Sequence, residues 1–347
     1  MLGRLALFAF SAVALSACDG GAVRPIRAVG SSTVFPFTTA VAEAFVNQDK
    51  RRAAPVIESI GSGAGFRAFC EGVGSQYPDI ANASRRMKRT EYDQCQKNSV
   101  GEILEVQIGL DGVVLAESNN GPKLKLSRKD LYLALAANPM GKPNTAKTWH
   151  DVNPSLPAIP IYVMGPPSTS GTRDAFIELM MEPGCLAAWP EAKAKAKAIK
   201  DGHDPAKFQD ACLRIRDDGP YVDKGENDNL IVQGLSQNPN AIGIFGYSYL
   251  EENIDRLHGT EIEGVGPTNN DIVTGKYPGG RPLYIYVKKR HIKAVRGMQD
   301  FLDLYATMWK PKGELNKRGL IAAPTDVQDQ SAKIIAEGIA LDPAQLH

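Results

Sequence analysis

The chain has no excess of either charge. Its 347 residues carry 40 Lys and Arg against 39 Asp and Glu, a formal net charge of +1. A protein whose main partner is nucleic acid needs a basic surplus to neutralise backbone phosphates, so no nucleic-acid partner is expected. The one basic run, residues 192–200, alternates Ala with Lys and reads as a solvated helix. Histidine is scarce, with five scattered residues, and no CxxC occurs, so neither a metal site nor another cofactor is expected. GxSxG is missing as well: Gly61-Ser62-Gly63-Ala64-Gly65 places Gly63 where a nucleophile elbow needs serine. No His/Asp pair has an evident orienting role, and the chain does not read as an enzyme. It has no internal repeat and no low-complexity segment.

Long apolar runs are confined to the N-terminus. Arg4 is followed by an apolar stretch over residues 5–15 and then Ser16, Ala17 and Cys18, the layout of a processed leader. The stretch is too short to span a bilayer. Leu15-Ser16-Ala17-Cys18 resembles the lipobox in which the cysteine becomes the lipidated first residue; the alternative is an ordinary leader with a chance cysteine. Residues 1–17 thus read as a signal peptide cleaved before Cys18, and residues 18–24 as a tether. The mature chain, without Arg4, is formally neutral and lies in the periplasm or on the outer surface, with Cys18 as its lipid anchor.

Four further cysteines remain, Cys70, Cys95, Cys185 and Cys212. An even number in an oxidising compartment points to two disulfides. Three pairings are open, and proximity in sequence favours Cys70–Cys95 with Cys185–Cys212. Each loop of roughly 25 residues would add about 3 kcal/mol through the unfolded state.

What the chain does have is a set of Ser/Thr/Gly loops that open into helices. GPPSTSGTRDAF (residues 165–176), GSSTVFPF (residues 30–37) and GSGAGFRAF (residues 61–69) are the clearest. A helix start leaves backbone N–H groups unpaired at the positive end of the dipole, which attracts an anion. Hydroxyls and a guanidinium at the same point sharpen that into an oxyanion site. Taken singly, Ser32 and Thr33 read first as helix caps, and Ser62 as a turn residue. Arg173 is harder to dismiss, because a cation in the first turn opposes the dipole and calls for an anionic partner, either a ligand or Asp174.

Strands are expected over residues 25–29, 55–60, 79–83, 102–108, 112–117, 159–164, 241–246 and 283–287. Helices are expected after each Ser/Gly loop, over residues 127–136 with Ser127 as N-cap, and over 230–235, 291–308 and 326–339. Repeated strand–loop–helix indicates a parallel α/β sheet, in which ligands sit beyond the carboxyl ends of the strands.

Together with DIANASR (residues 79–85), DGVVLA (111–116), GENDNLIV (225–232) and AIGIFGYSYL (241–250), these loops resemble, in order, the phosphate-binding proteins of high-affinity bacterial phosphate ABC transporters. The resemblance covers nearly the whole mature chain. It implies a type II periplasmic-binding fold: two α/β lobes joined by two hinge crossovers, with the ligand in the cleft. Residues 25–109 plus 281–347 would form lobe 1 and residues 110–280 lobe 2. Residue by residue it implies phosphate contacts from Ser32, Thr33, Val34, Ser62, Ser84, Arg85, Ser170, Gly171, Thr172 and Arg173. It also implies a monomeric receptor that passes inorganic phosphate to inner-membrane permease subunits. One version of the family has an aspartate where Arg85 stands, which accepts the phosphate proton and excludes sulfate. Arg85 therefore keeps open a receptor for sulfate or arsenate, and the acceptor falls to Asp174, Asp111 or Asp228. A lipid-anchored phosphate sensor is the other alternative.

Overall fold

Strand β1 (Arg27–Gly30) ends in a turn over residues 31–34 and passes into helix α1 (Phe35–Gln48). Pro36 occupies the first turn of α1, where a missing N–H costs no hydrogen bond. The unit repeats in β2 (Val56–Ser59) with α2 (Ser62–Phe69), and in β3 (Ile80–Ala83) with α3 (Arg89–Lys97). Both β2 and β3 pair parallel with β1. The computed structural model describes residues 24–192, 194, 205–225 and 227–346. The leader, Cys18, most of the tether and most of the basic run at 192–200 lie outside the described residues.

The next strand differs from the expectation of two. β4 (Ile103–Ser118) is one strand of 16 residues. Its first part, from Ile103 to Gly112, pairs antiparallel with β11 (Gly280–Lys288), and its second, from Val113 to Glu117, with β8 (Ile242–Gly246). Asp111 and Gly112, which look like a turn in sequence, lie where the strand changes partners. Among the elements after β4 are β5 (Lys125–Leu126), α4 (Arg128–Leu135), α5 (Trp149–Val152), β6 (Val163–Gly165) and α6 (Gly171–Phe176). A π-helical turn (Ile177–Met181) joins α6 to α7 (Glu182–Ala188). Then come β7 (Tyr221–Asp223), β8, β9 (Leu257–Gly259), β10 (Glu261–Ile262) and β11. Ser127 caps α4 as expected: its Oγ accepts the Asp130 N–H, and the Asp130 carboxylate accepts the Ser127 N–H at 2.8 Å.

The main sheet runs β2-β1-β3-β11-β4-β8-β6-β7, with β9 also on β4. Its core divides at the crossing. One cluster of buried residues is drawn from Leu110 to Tyr277 with Ile321 and Ala323. Two others combine residues before Leu110 with residues after Arg281, among them Phe45, Phe301 and Tyr305 in one and Phe66, Phe69 and Tyr286 in the other. Two α/β lobes thus share a sheet through β4 and its neighbour β11.

The expected long helix over 291–308 is two, Lys289–Ala294 and Met298–Met308, because Gly297 between them has φ +81°. The last long helix, Thr325–Glu337, stops at Gly338, also left-handed. Both disulfides take the nearest-neighbour pairing, Cys70–Cys95 and Cys185–Cys212, with separations of 25 and 27 residues. The first ties the end of α2 to α3, and the second ties α7 to a π-helical turn at Gln209–Leu213. Among the described residues no helix is long and apolar enough to cross a membrane.

Candidate functional site

Four loops meet where the lobes face each other. The first, residues 31–34, continues from Gly30, and the second opens α2. They are held together by a close backbone approach: a Cβ on Gly65 would lie 2.5 Å from the Gly30 Cα. Only glycine permits that spacing. The third loop, after β3, joins them through Ser84, whose N–H donates to Ser62 Oγ at 3.1 Å; the two hydroxyls are also 3.1 Å apart. Ser84 is buried and Ser62 half-buried.

The fourth loop reaches across from the other lobe. Ser170 caps α6, accepting the Thr172 N–H on its Oγ at 3.2 Å. Thr33 Oγ1 donates to the Gly171 carbonyl at 3.1 Å, and Ser32 Oγ donates to Asp174 Oδ2 at 2.9 Å. Gly171 packs so tightly that a Cβ there would sit 2.6 Å from the Thr33 nitrogen. Two helix starts, α1 and α6, therefore converge from different lobes with their hydroxyls between them.

Ser32, Thr33, Ser170, Gly171 and Thr172 are brought together across the lobes, while Ser62 and Ser84 pair with each other on the first lobe. The Val34 N–H lies 3.4 Å from Ser31 Oγ, a long contact that leaves it weakly held. The two arginines are otherwise engaged. Arg85 forks onto Glu91, its Nη1 and Nη2 donating at 2.9 and 2.6 Å, with its guanidinium 5.2 Å from the Phe66 ring centroid. Glu91 sits in the first turn of α3 and also accepts the Lys88 N–H at 2.9 Å. Arg173 stacks on Tyr221 at 3.9 Å and donates Nη1 to the Pro166 carbonyl at 3.3 Å. Its Nε is buried with no hydrogen-bond partner among the described residues. A buried guanidinium N–H left open is costly and points to a missing acceptor. Tyr221 gives its own proton to Pro166 at 2.6 Å, and burial pushes its phenol up to about 12.

The sequence reading missed Arg281. It enters β11 at the crossing, is 5% exposed, and contacts Thr33, Glu178 and Asp111. The available signal was a lone arginine leading an apolar strand. Asp111 is thus taken up by Arg281; burial pushes its carboxyl up against that pull. Asp228 accepts the Gly246 N–H at 3.5 Å, and Asp174 accepts the Ser32 hydroxyl. Asn82 is a second omission: it is fully buried beside Gly30, its Oδ1 accepts from Thr38, and its Nδ2 has no partner among the described residues. Among the described residues no group of three or more His, Cys, Asp or Glu is placed to hold a metal ion.

Residues 16–307 match the family model described as the PBP superfamily domain. Protein SphX of Synechococcus elongatus is 31% identical over 288 residues, 81% of this chain and 72% of that protein. The phosphate-binding protein PstS of Staphylococcus saprophyticus is 28% identical over 338 residues, 92% of this chain and 89% of that one. Among solved structures, a possible phosphate binding protein from Planctomyces limnophilus superposes with a TM-score of 0.72 at 25% identity, over 91% of this chain and 98% of that chain.

Proposed function

The chain belongs to the PBP superfamily, with PstS and SphX among its relatives, and on that premise we propose that it captures inorganic phosphate between its two lobes and delivers it to the permease of an ABC importer. One observation carries the reading: two helix starts from different lobes meet through hydroxyls, Thr33 on the Gly171 carbonyl and Ser32 on the Asp174 carboxylate. A buried dianion needs many donors at once, and helix N–H groups with short hydroxyls supply them rigidly. Ser32, Thr33, Val34, Ser62, Ser84, Ser170, Gly171 and Thr172 form the donor shell in this reading, and the open Nε of Arg173 gives the charge-assisted contact. Arg85 is neutralised by Glu91 and stands at the edge of the site in this reading.

Asp174 favours phosphate over sulfate. A carboxylate 2.9 Å from an anion-binding hydroxyl repels a fully deprotonated anion and welcomes one that still carries a proton. Arsenate shares that proton and is separated from phosphate only by size. Residues 25–109 with 281–347 make the first lobe and 110–280 the second; residues 1–17 are removed, and Cys18 carries the lipid that holds a monomeric receptor in the periplasm. The protein is a binding protein without a catalytic step.

Calorimetric titration of the mature chain, stripped of ligand by partial unfolding, tests this at pH 5 and pH 8. Tight phosphate binding with negligible sulfate binding is expected. Equal binding of the two anions would remove the phosphate assignment.

A further inference from the structure

Arg281 joins parts of the molecule that belong to different lobes. Its Nε lies 3.4 Å from Oδ2 of Asp111, its cross-strand partner on β4. Its Nη1 is paired with Glu178, in the π-helical turn that follows α6. Its Nη2 donates to Thr33 Oγ1 at 2.8 Å, in the loop that opens α1. A strap between the two crossing strands would need only Asp111. The reach to Thr33 and Glu178 asks for another explanation.

A guanidinium has donors only, so Thr33 Oγ1 must accept from it. The single Thr33 proton is then committed outward, here to the Gly171 carbonyl at 3.1 Å. A hydroxyl fixed in this way meets an incoming anion as a donor. Without Arg281 the same hydroxyl is free to turn. Asp111 and Glu178 together outweigh the charge of Arg281, so the arginine is not the anion's counter-ion. Glu178 belongs to the second lobe and Thr33 to the first, so Arg281 keeps both partners only while the lobes are together.

We propose that Arg281 is a positioning residue of the anion site, which holds Thr33 as an obligate hydrogen-bond donor and, through Glu178, ties that arrangement to lobe closure. The inference rests on the phosphate-capture reading. A double-mutant cycle of Thr33→Val and Arg281→Gln, titrated with inorganic phosphate, tests it. Each single variant weakens binding by about tenfold or more, and the double variant is no more than about threefold weaker than the worse single. Losses that multiply would overturn the proposal, because a merely structural Arg281 acts independently of the Thr33 hydroxyl.

Glu178→Gln covers the case in which Arg281→Gln fails to fold, since the Glu178 side chain is half exposed. In stopped flow it raises the phosphate off-rate several-fold and leaves the on-rate within about twofold. Its loss combines with that of Thr33→Val less than multiplicatively. An unchanged off-rate, or fully multiplicative losses, would overturn the link to closure. A wild-type chain that binds no phosphate removes the capture reading together with this refinement of it. A wild type that binds, with multiplying losses in the cycle, removes Arg281 alone.

Discussion

Gly171→Ala separates the stability of this fold from its affinity. Gly171 is the first residue of α6, so alanine there favours the helix by up to about 1 kcal/mol. The added Cβ, however, would stand 2.6 Å from the Thr33 nitrogen and 2.8 Å from the Thr33 Cα, both backbone atoms of the opposite lobe. For the contact to become ordinary the lobes must part by about 0.8 Å. That takes the Thr33–Gly171 bond from 3.1 Å and the Ser32–Asp174 bond from 2.9 Å out beyond hydrogen-bonding range. Lobes held that far apart cannot present both sets of donors to one anion, so about one neutral and one charge-assisted contact to it are lost, about 2–4 kcal/mol together. Phosphate affinity falls by roughly 30- to 1000-fold, while the melting temperature of the ligand-free protein drops by only a few degrees, because each lobe keeps its own core and the helix gain offsets part of the two bridging bonds. Calorimetric titration beside a thermal melt reads both quantities. Binding within about threefold of wild type would refute the premise that closure brings Gly171 against Thr33.

Arg173→Ala removes the guanidinium whose Nε is buried and open, and phosphate titration should show a loss of about 2–4 kcal/mol; unchanged affinity takes Arg173 out of the site. Lys288 is fully buried, its ammonium donating to the Gly72 carbonyl at 2.6 Å, and burial pushes its pKa down from 10.5 to about 8, against the pull of Asp79. Between those values the unfolded chain binds more protons than the folded one, so stability rises with pH, by about 2 kcal/mol from pH 8 to pH 10. Denaturant unfolding of wild type against Lys288→Met isolates the effect, and parallel pH profiles would sink it. Cys18→Ala should leave phosphate affinity unchanged and move the protein from the membrane fraction to the soluble periplasm; retention in the membrane would deny Cys18 the lipid.

The loop-to-helix starts could be read from sequence because each is local. Ser170-Gly171-Thr172 announces a cap, which Ser170 supplies, and Ser31-Ser32-Thr33 announces a helix start; there the cap reading fails, because the N-cap of α1 is Val34, with no side-chain cap, and Ser32 and Thr33 donate to the other lobe. The nearest-neighbour disulfides were legible for the same reason. What stayed hidden depends on partners far away in the chain. Arg281 meets Thr33 across 248 residues and Glu178 across 103, and neither pairing leaves a local pattern. β4 looked broken at Asp111-Gly112 because a polar residue and a glycine normally mark a turn; it continues because its two halves find different partners. Arg85 is a subtler case. Its partner Glu91 is only six residues on, but Glu91 also closes the α3 start through the Lys88 N–H, and that reads as a capping residue with no charge to spare.

The charges around the junction are nearly all spent on one another, and this bears on how the site attracts an anion. Arg85 is forked onto Glu91, and Arg281 is shared by Asp111 and Glu178. Arg173 is left with an aromatic face and one carbonyl. Long-range attraction from free cations is therefore modest, in keeping with the even balance of charge over the whole chain. The selectivity must come from short-range donors, whose energy depends on distance and direction and is realised only when both lobes present them together. A site of that kind discriminates by shape and by proton content, since an anion that cannot place all its oxygens leaves some of those donors unmet. It also makes binding and closure one event: the hydroxyls that would hold the anion, Ser32 and Thr33, are the same groups that bridge the lobes in this structure, so an incoming anion must take over their protons to stay.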